Sequence, residues 1–503
     1  MAPDSCHGFS GIVNASTVST TRPTDARCRA VARNGKHTAF HLDANAGHRF
    51  ARTIRSAALH RGNATTRVLR VAAAPAGTAR AKPDTVDAAC DNTPSHDIRI
   101  RARPLSPPTP APMNAPARAP VVRSRLPDTG TTIFSVMSAL AARHGAVNLG
   151  QGFPDYPIDP ALIDLVADAM RAGHNQYPPM TGVPALREAI AGKVARLYGR
   201  AYDPEHEVTV TTGATQAIFT AIGALAHPGD EVIVFEPAYD SYVPAVRLAG
   251  ATPVTLPLAL PGYRIDWERT RAAVTPRTRL IVVNTPNNPG TSVLAPADLD
   301  ALAALTRDTD VLVLSDEVYE HMVYDGRRHA SVAGHDELAG RSVVVGSFGK
   351  TFHATGWKVG YALAPAAITA ELRRVHQFTV FAVNAPVQHA LAQFLAEPQR
   401  YLSLPGFFAR KRDLLRDALA GTPLELLPCE GSYFQLARFD RVSDEPAAAF
   451  AQRLVTDFGV ATIPLSAFYQ DGTDHGVIRF CFAKRDETLV EAARRLTRLR
   501  SVR

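Results

Sequence analysis

The chain has 503 residues, 46% of them hydrophobic and 20% charged, enough for one large domain and a smaller one beside it. No apolar run approaches the ~18 residues of a membrane helix. The formal charge of +8 suggests a polyanion partner, but residues 1–112 hold 16 Lys and Arg against 7 Asp and no Glu, a net +9, which leaves −1 for the rest. The body of the chain therefore gives no charge-based reason to expect nucleic acid.

The first 120 residues are rich in Ala, Arg, Thr and Pro and contain no Tyr or Trp. Such a segment buries little apolar surface and is predicted to stay disordered. An Arg-rich, acid-poor start fits an organelle transit peptide, and a basic arm fits nucleic acid. We favour a third reading, in which Met113 is the true start and the preceding residues are a translated upstream region. Cys6, Cys28, Cys90, Cys429 and Cys481 show no metal-type spacing. A reducing, cytoplasmic setting is the simpler expectation.

The body alternates helices and strands. Ser135–His144 reads as a helix, followed by Gly150-Gln151-Gly152-Phe153, which alone is a plain turn. Ala161–Ala172 is amphipathic, and after Asn175-Gln176-Tyr177 a further helix runs through Tyr198. Glu207–Thr212 is a strand. Gly213-Ala214-Thr215 then opens an apolar helix to about Leu225. A strand–glycine–helix junction presents unpaired N–H groups and the positive end of the helix dipole, a ready anion site, although many such turns hold no ligand. Glu231–Phe235 is the next strand, and Tyr239 after it offers an aromatic face for stacking or for the core.

Leu280–Val283 is a strand that runs into the turn-rich Asn284-Thr285-Pro286-Asn287-Asn288-Pro289-Gly290. Pro296–Thr306 reads as a helix with proline in its first turn. Val311–Leu314 is an apolar strand leading to Ser315-Asp316-Glu317-Val318-Tyr319. A carboxylate at the end of a buried strand is costly unless something pairs with it. The β-branched run Ser342–Gly346 then leads to Ser347-Phe348-Gly349-Lys350, with a second cation at Lys358. Lys350 stands just past a strand end in a small-residue turn, where Gly349 lets a ligand come close. Helices are predicted at Ile368–Phe378, Ala385–Leu395, Phe407–Leu419, Ala447–Phe458 and Thr488–Leu499. Short strands are predicted at Leu424–Leu427, Tyr433–Leu436, Val460–Ile463 and Val477–Phe482. Arg479 lies among apolar residues on the last of these. A bidentate bond to a carboxylate explains an arginine there, as does a salt bridge to a nearby Asp.

These motifs, in this order from about Leu126 to about Leu499, resemble the class I/II aminotransferases that use pyridoxal 5′-phosphate, nearest to the methionine aminotransferase and kynurenine aminotransferase group. The resemblance implies an α/β, aspartate-aminotransferase-like fold (fold type I), with a large domain over residues 166–398. The small α+β domain would be built from residues 121–165 and 399–503. It implies that Lys350 is the amine joined to the cofactor, Asp316 the partner of its ring nitrogen and Tyr319 the phenol at its ring oxygen. Tyr239 would stack on the ring, and Gly213, Ala214, Thr215, Ser347 and Lys358 would hold the phosphate. Many relatives have Arg at the place of Lys358. Asn288 would bond the ring oxygen and the substrate carboxylate, Arg479 would clamp that carboxylate, and Gly152 would lie over the substrate. Tyr177 would reach the phosphate of the neighbouring subunit, which makes a homodimer with shared sites the expected assembly. Glu317 is expected to point away.

The activity implied is transfer of the amino group of methionine, and of aromatic amino acids, to a 2-oxo acid. Phe153, Tyr156, Phe381 and Phe468 are candidates for an apolar pocket, Phe381 for that of the partner subunit, and no second arginine clamp for a dicarboxylate is evident. Kynurenine transamination and a cysteine-S-conjugate β-lyase activity on the same site are the alternatives, with an aminocyclopropane carboxylate synthase further off. An aminotransferase-like regulator with a nucleic-acid-binding arm is the most distant, and no helix-turn-helix pattern supports it. No metal and no membrane partner are expected.

Overall fold

The computed structural model describes Arg27–Val31, His37–His41 and residues 121–501. The chain divides into two units, Met1–Met113 and Asn114–Arg503. In the first unit the described residues are two antiparallel strands, with Arg27 opposite His41 and Val31 opposite His37. The expectation of a disordered leader predicts no element at these residues. The remaining expectations for the leader, including Met113 as the start, fall outside the described residues.

The second unit is organised by a seven-stranded sheet: β1 Val208–Thr211, β2 Glu231–Glu236, β3 Thr252–Pro257, β4 Thr278–Asn284, β5 Leu312–Asp316, β6 Ser342–Ser347 and β7 Gly360–Leu363. Their order is β1-β7-β6-β5-β4-β2-β3. The ladders from β3 through β6 are parallel, and β7 alone runs antiparallel to both of its neighbours. Both faces are covered, as a parallel sheet requires. Ile233, Ile281, Val313 and Val344 face one apolar layer, while Val232, Leu280, Leu314 and Val343 face the other. That alternation explains why these strands read as continuous apolar runs. Helix Gly213–Leu225 covers the second face through Ala217, Ile218, Ala221 and Ile222.

A second sheet is wholly antiparallel: Glu425–Leu426, Phe434–Arg438, Val477–Cys481 and Ile463–Pro464, in that order. Val147–Asn148 pairs in parallel with Val460–Ala461, so the segment before the large sheet joins the C-terminal part of the chain. The expected single strand Val460–Ile463 is therefore two, separated at Thr462 and serving different sheets. Pro296–Thr306 and Ala447–Phe458 have the predicted bounds. β3 escaped the sequence reading because Pro253 and Pro257 argue against a strand. It lies at the sheet edge, where a missing N–H breaks no ladder.

Candidate active site

The carboxyl ends of β1, β4, β5 and β6 converge on one cavity of about 360 Å³, the usual place for a ligand in an open α/β sheet. Asp316 is the last residue of β5 and Ser347 the last of β6. Lys350 follows just past the strand end, as expected, in a single helical turn, Phe348–Thr351. A Cβ on Gly349 would stand 3.1 Å from the Thr355 Cα and 3.3 Å from the Ala354 carbonyl, so any side chain there would press on the backbone of the next loop.

Lys350 Nζ donates to the Tyr433 hydroxyl at 2.8 Å and to the Gly152 carbonyl at 3.2 Å. Burial, reinforced by the positive charges of Arg479 and Lys358 against the opposing pull of Cys481 and Asp316, lowers its pKa to about 8. Asp316 is 4% exposed. Its carboxylate accepts from the Tyr242 hydroxyl at 2.6 Å and from the Val318 amide at 3.3 Å, a phenol and an amide rather than a cation. Burial therefore pushes its pKa up to about 6. Tyr319 is buried beside it, edge-on to Tyr433 at 5.0 Å between ring centres.

At the opposite wall, Gly213 has φ +72°, and a Cβ there would meet Lys358 Cε at 3.3 Å. Thr212, the N-cap of helix Gly213–Leu225, makes no side-chain cap bond. The first turn of that helix, Gly213, Ala214 and Thr215, lines the cavity. The Thr215 and Tyr239 hydroxyls lie 3.4 Å apart.

Arg479 is 1% exposed, in the middle of the strand Val477–Cys481. Its guanidinium donates from Nη1 to Asn288 Oδ1 at 2.6 Å and from Nη2 to the Gly150 carbonyl at 3.2 Å, while the buried Nε has no partner. Phe434, Phe468 and Phe134 surround it, with ring centres 3.9, 5.0 and 5.4 Å from the guanidinium carbon. Its neutral partners set aside the salt-bridge explanation. Burial, only partly offset by Tyr319 and other groups nearby, lowers its pKa to about 10. A cation held this way is arranged for an anion that comes from outside the chain.

Every residue predicted to hold the cofactor or the substrate carboxylate, except Tyr177, lines this cavity. Tyr177 is 82% exposed and packs edge-on against Phe381 at 5.1 Å. Glu317 turns away as expected, taking bonds from Ser315 Oγ, the Val332 amide and His329.

Residues 145–496 match the family described as aminotransferase class I and II. The chain belongs to that family. Methionine aminotransferase of Escherichia coli is 51% identical over 75% of this chain and 98% of its own length. A solved Escherichia coli structure identified with a methionine aminotransferase function superposes with a TM-score of 0.74, covering 75% of this chain and 100% of that one. A probable N-succinyldiaminopimelate aminotransferase of Mycobacterium tuberculosis is 42% identical over 74% of this chain and 97% of its own. The mouse kynurenine–oxoglutarate transaminase 1 is 37% identical over 71% and 92%. The fold of this aminotransferase is the expected aspartate-aminotransferase-like arrangement.

The aminotransferase also brings to the site residues that the sequence reading did not single out. Tyr242 bonds Asp316, and its spacing of three from Tyr239 on the approach to a helix was a usable signal. Tyr433 bonds Lys350 across 83 residues of sequence, and no spacing announced it. Gln151, Asn284, Phe134 and Phe434 are also among the lining residues. Of the apolar-pocket candidates, Phe153 lines the cavity and Phe468 packs on Arg479. Tyr156 instead packs against His353 and Phe407, and Phe381 lies on the surface, so neither lines this cavity.

Proposed function

We propose that this aminotransferase works with pyridoxal 5′-phosphate joined to Lys350 and moves the amino group of L-methionine, and of aromatic amino acids, to a 2-oxo acid. The residues present fit that cofactor. A buried acid bonded only to neutral groups suits a ring nitrogen that must stay protonated, the role we give Asp316. The uncapped start of helix Gly213–Leu225, with Thr215, Ser347 and Lys358, suits a phosphate. Tyr239 offers a flat face, and Tyr319 and Asn288 are the groups for the ring oxygen. When bound, the cofactor supplies an electron-withdrawing ring that accepts the charge developing at the substrate Cα.

The observation that carries the reading is Arg479, a buried guanidinium with only neutral hydrogen-bond partners, opening on the same cavity as an amine of lowered proton affinity. Arg479 and Asn288 fix the substrate α-carboxylate. Lys350 Nζ, neutral above about pH 8, then takes the proton from the substrate Cα and returns it during transfer. Phe134, Phe153 and Phe434 at the cavity wall favour an apolar donor side chain, and the 51% identity to a methionine aminotransferase favours methionine. The kynurenine transaminase relatives support aromatic donors.

We further infer a homodimer in which the partner's Tyr177 reaches the phosphate. Tyr177 and Phe381 pack edge-on against each other while both stay exposed, as does Phe378, and apolar rings left in water this way favour a covering partner. The pairing of Val147–Asn148 with Val460–Ala461 supports a small domain made from residues 121–165 and 399–503 around the larger 166–398. The isolated buried thiols of Cys429 and Cys481 fit a cytoplasmic setting. The test is a single-turnover panel of methionine, phenylalanine, kynurenine, N-succinyldiaminopimelate and aspartate. Methionine should convert fastest, and a faster aspartate would sink the donor assignment. Release of pyruvate from a substrate with a β-leaving group, outpacing keto-acid formation, would favour the lyase.

A further inference from the structure

One hydroxyl ties three distant segments together at the reacting amine. Tyr433 immediately precedes the strand Phe434–Arg438 of the small sheet, and its side chain is fully buried. Its oxygen accepts from Lys350 Nζ at 2.8 Å, and its proton goes to the Gly152 carbonyl in a short hydrogen bond. Lys350 Nζ also reaches that carbonyl, at 3.2 Å. The ring is held edge-on by Tyr319 and Phe434, with centres 5.0 and 4.8 Å away. The phenol therefore has one orientation, with its lone pairs turned to the amine.

On the reading that Lys350 is the reacting amine, we infer that Tyr433 is a positioning residue that receives the Lys350 amine when it is free and keeps it aimed at the substrate Cα. A free lysine side chain has several rotatable bonds to immobilise, and the transfer step needs its nitrogen within hydrogen-bond reach of one carbon. Tyr433 supplies that restraint through a hydroxyl bonded to two residues of the cavity wall, Lys350 and Gly152. Its bond to Gly152 fixes the same restraint to the loop that borders the substrate. Phenylalanine in its place would preserve the packing and lose both bonds.

The amine is faced by Asp316, Tyr319, Arg479, Lys358 and Cys481 as well as Tyr433, so its titration reports their sum. Tyr433→Phe changes one acceptor among them and no formal charge. The first arm uses cofactor-free protein, labelled with trace acetic anhydride across pH 6–11 and read by mass spectrometry at the Lys350 peptide. The labelling midpoint should fall by about one pH unit in Tyr433→Phe, the effect of losing one hydrogen bond to a charged donor. The second arm uses the full chain with pyridoxal phosphate. Turnover of methionine should drop about tenfold with KM within about twofold, and the isotope effect with α-deuterated methionine should rise. A purely structural tyrosine moves neither the midpoint nor the isotope effect, and an unchanged value in either arm overturns the inference. If Tyr433→Phe does not fold, 3-fluorotyrosine at the same position keeps the hydroxyl but weakens it as an acceptor, and should shift both readouts in the same directions. A wild-type chain that takes up no pyridoxal phosphate would instead overturn the functional reading. The labelling arm needs no cofactor and would still report whether Tyr433 holds the amine.

Discussion

Replacing Arg479 by methionine should separate function from stability. The substitution roughly conserves volume among Phe434, Phe468 and Phe134. The site lowers the arginine's pKa from its ordinary value to about 10, which at ~1.4 kcal/mol per pH unit amounts to about 3 kcal/mol against the charged form. Removing the charge relieves that cost. Against it stand the two acceptors left behind, Asn288 Oδ1 and the Gly150 carbonyl, at about 1–3 kcal/mol each. Together the acceptors cost about 2–6 kcal/mol, most of which the relief offsets, so the ligand-free variant should unfold in urea no more than about 3 kcal/mol below wild type. Substrate has no such compensation. Loss of a desolvated, charge-assisted carboxylate pair should lower kcat/KM for methionine by ~10²–10³, about 3–4 kcal/mol. Urea titration and half-reaction kinetics on the same preparation test both. A stability loss of about 3–5 kcal/mol with unchanged kcat/KM is what a broken structural ion pair gives, and that result would refute the reasoning.

Asp316→Asn should stabilise the cofactor-free chain, with a definite pH dependence. The native carboxyl has a pKa of about 6 against 3.8 unfolded. Between those values the native state binds more protons, so wild-type stability falls as pH rises through that window. The variant lacks this fall and should gain up to about 3 kcal/mol above pH 6 and nothing below pH 4, while its affinity for pyridoxal phosphate drops. Melting at pH 3.5 and pH 7.5 checks the sign, and an equal gain at both would contradict it. A second buried pair has no part in the chemistry proposed. Lys193 bonds Glu320 and, at 2.7 Å, the Tyr361 hydroxyl, and Tyr198 bonds the other Glu320 oxygen at 2.7 Å. Lys193→Met should cost about 3–5 kcal/mol because it strands a buried carboxylate. Adding Glu320→Gln should recover more than half of that in urea titrations. A single variant within about 1 kcal/mol of wild type would show that the charge finds another partner.

The site was legible because its chemistry sits on residue types that are expensive where the sequence places them. Asp316 at the end of an apolar strand, Arg479 between Ile478 and Phe480, and Gly213 at a strand–helix junction each stand out without tertiary knowledge. The large sheet was legible for a related reason, since strands buried on both faces read as unbroken apolar runs. What escaped was set by tertiary context. β3 carries two prolines that only an edge position excuses. β7 begins at Gly360, where an added Cβ would stand 2.6 Å from the Gly346 carbonyl, so its strand character comes from its neighbour and not from propensity. Tyr433 looks like any core tyrosine until the fold lays it against Lys350. Tyr156 is a pocket candidate by its aromatic character alone, but its ring packs against His353 and Phe407.

The most direct measurement is to map the adduct. The full chain should be incubated with pyridoxal phosphate, its visible absorbance recorded, and the product reduced with borohydride and digested. A yellow protein with one equivalent of reduced cofactor on the peptide carrying Lys350, lost in Lys350→Ala, is the predicted result. A colourless chain, or a label on Lys358 or another lysine, would contradict the account.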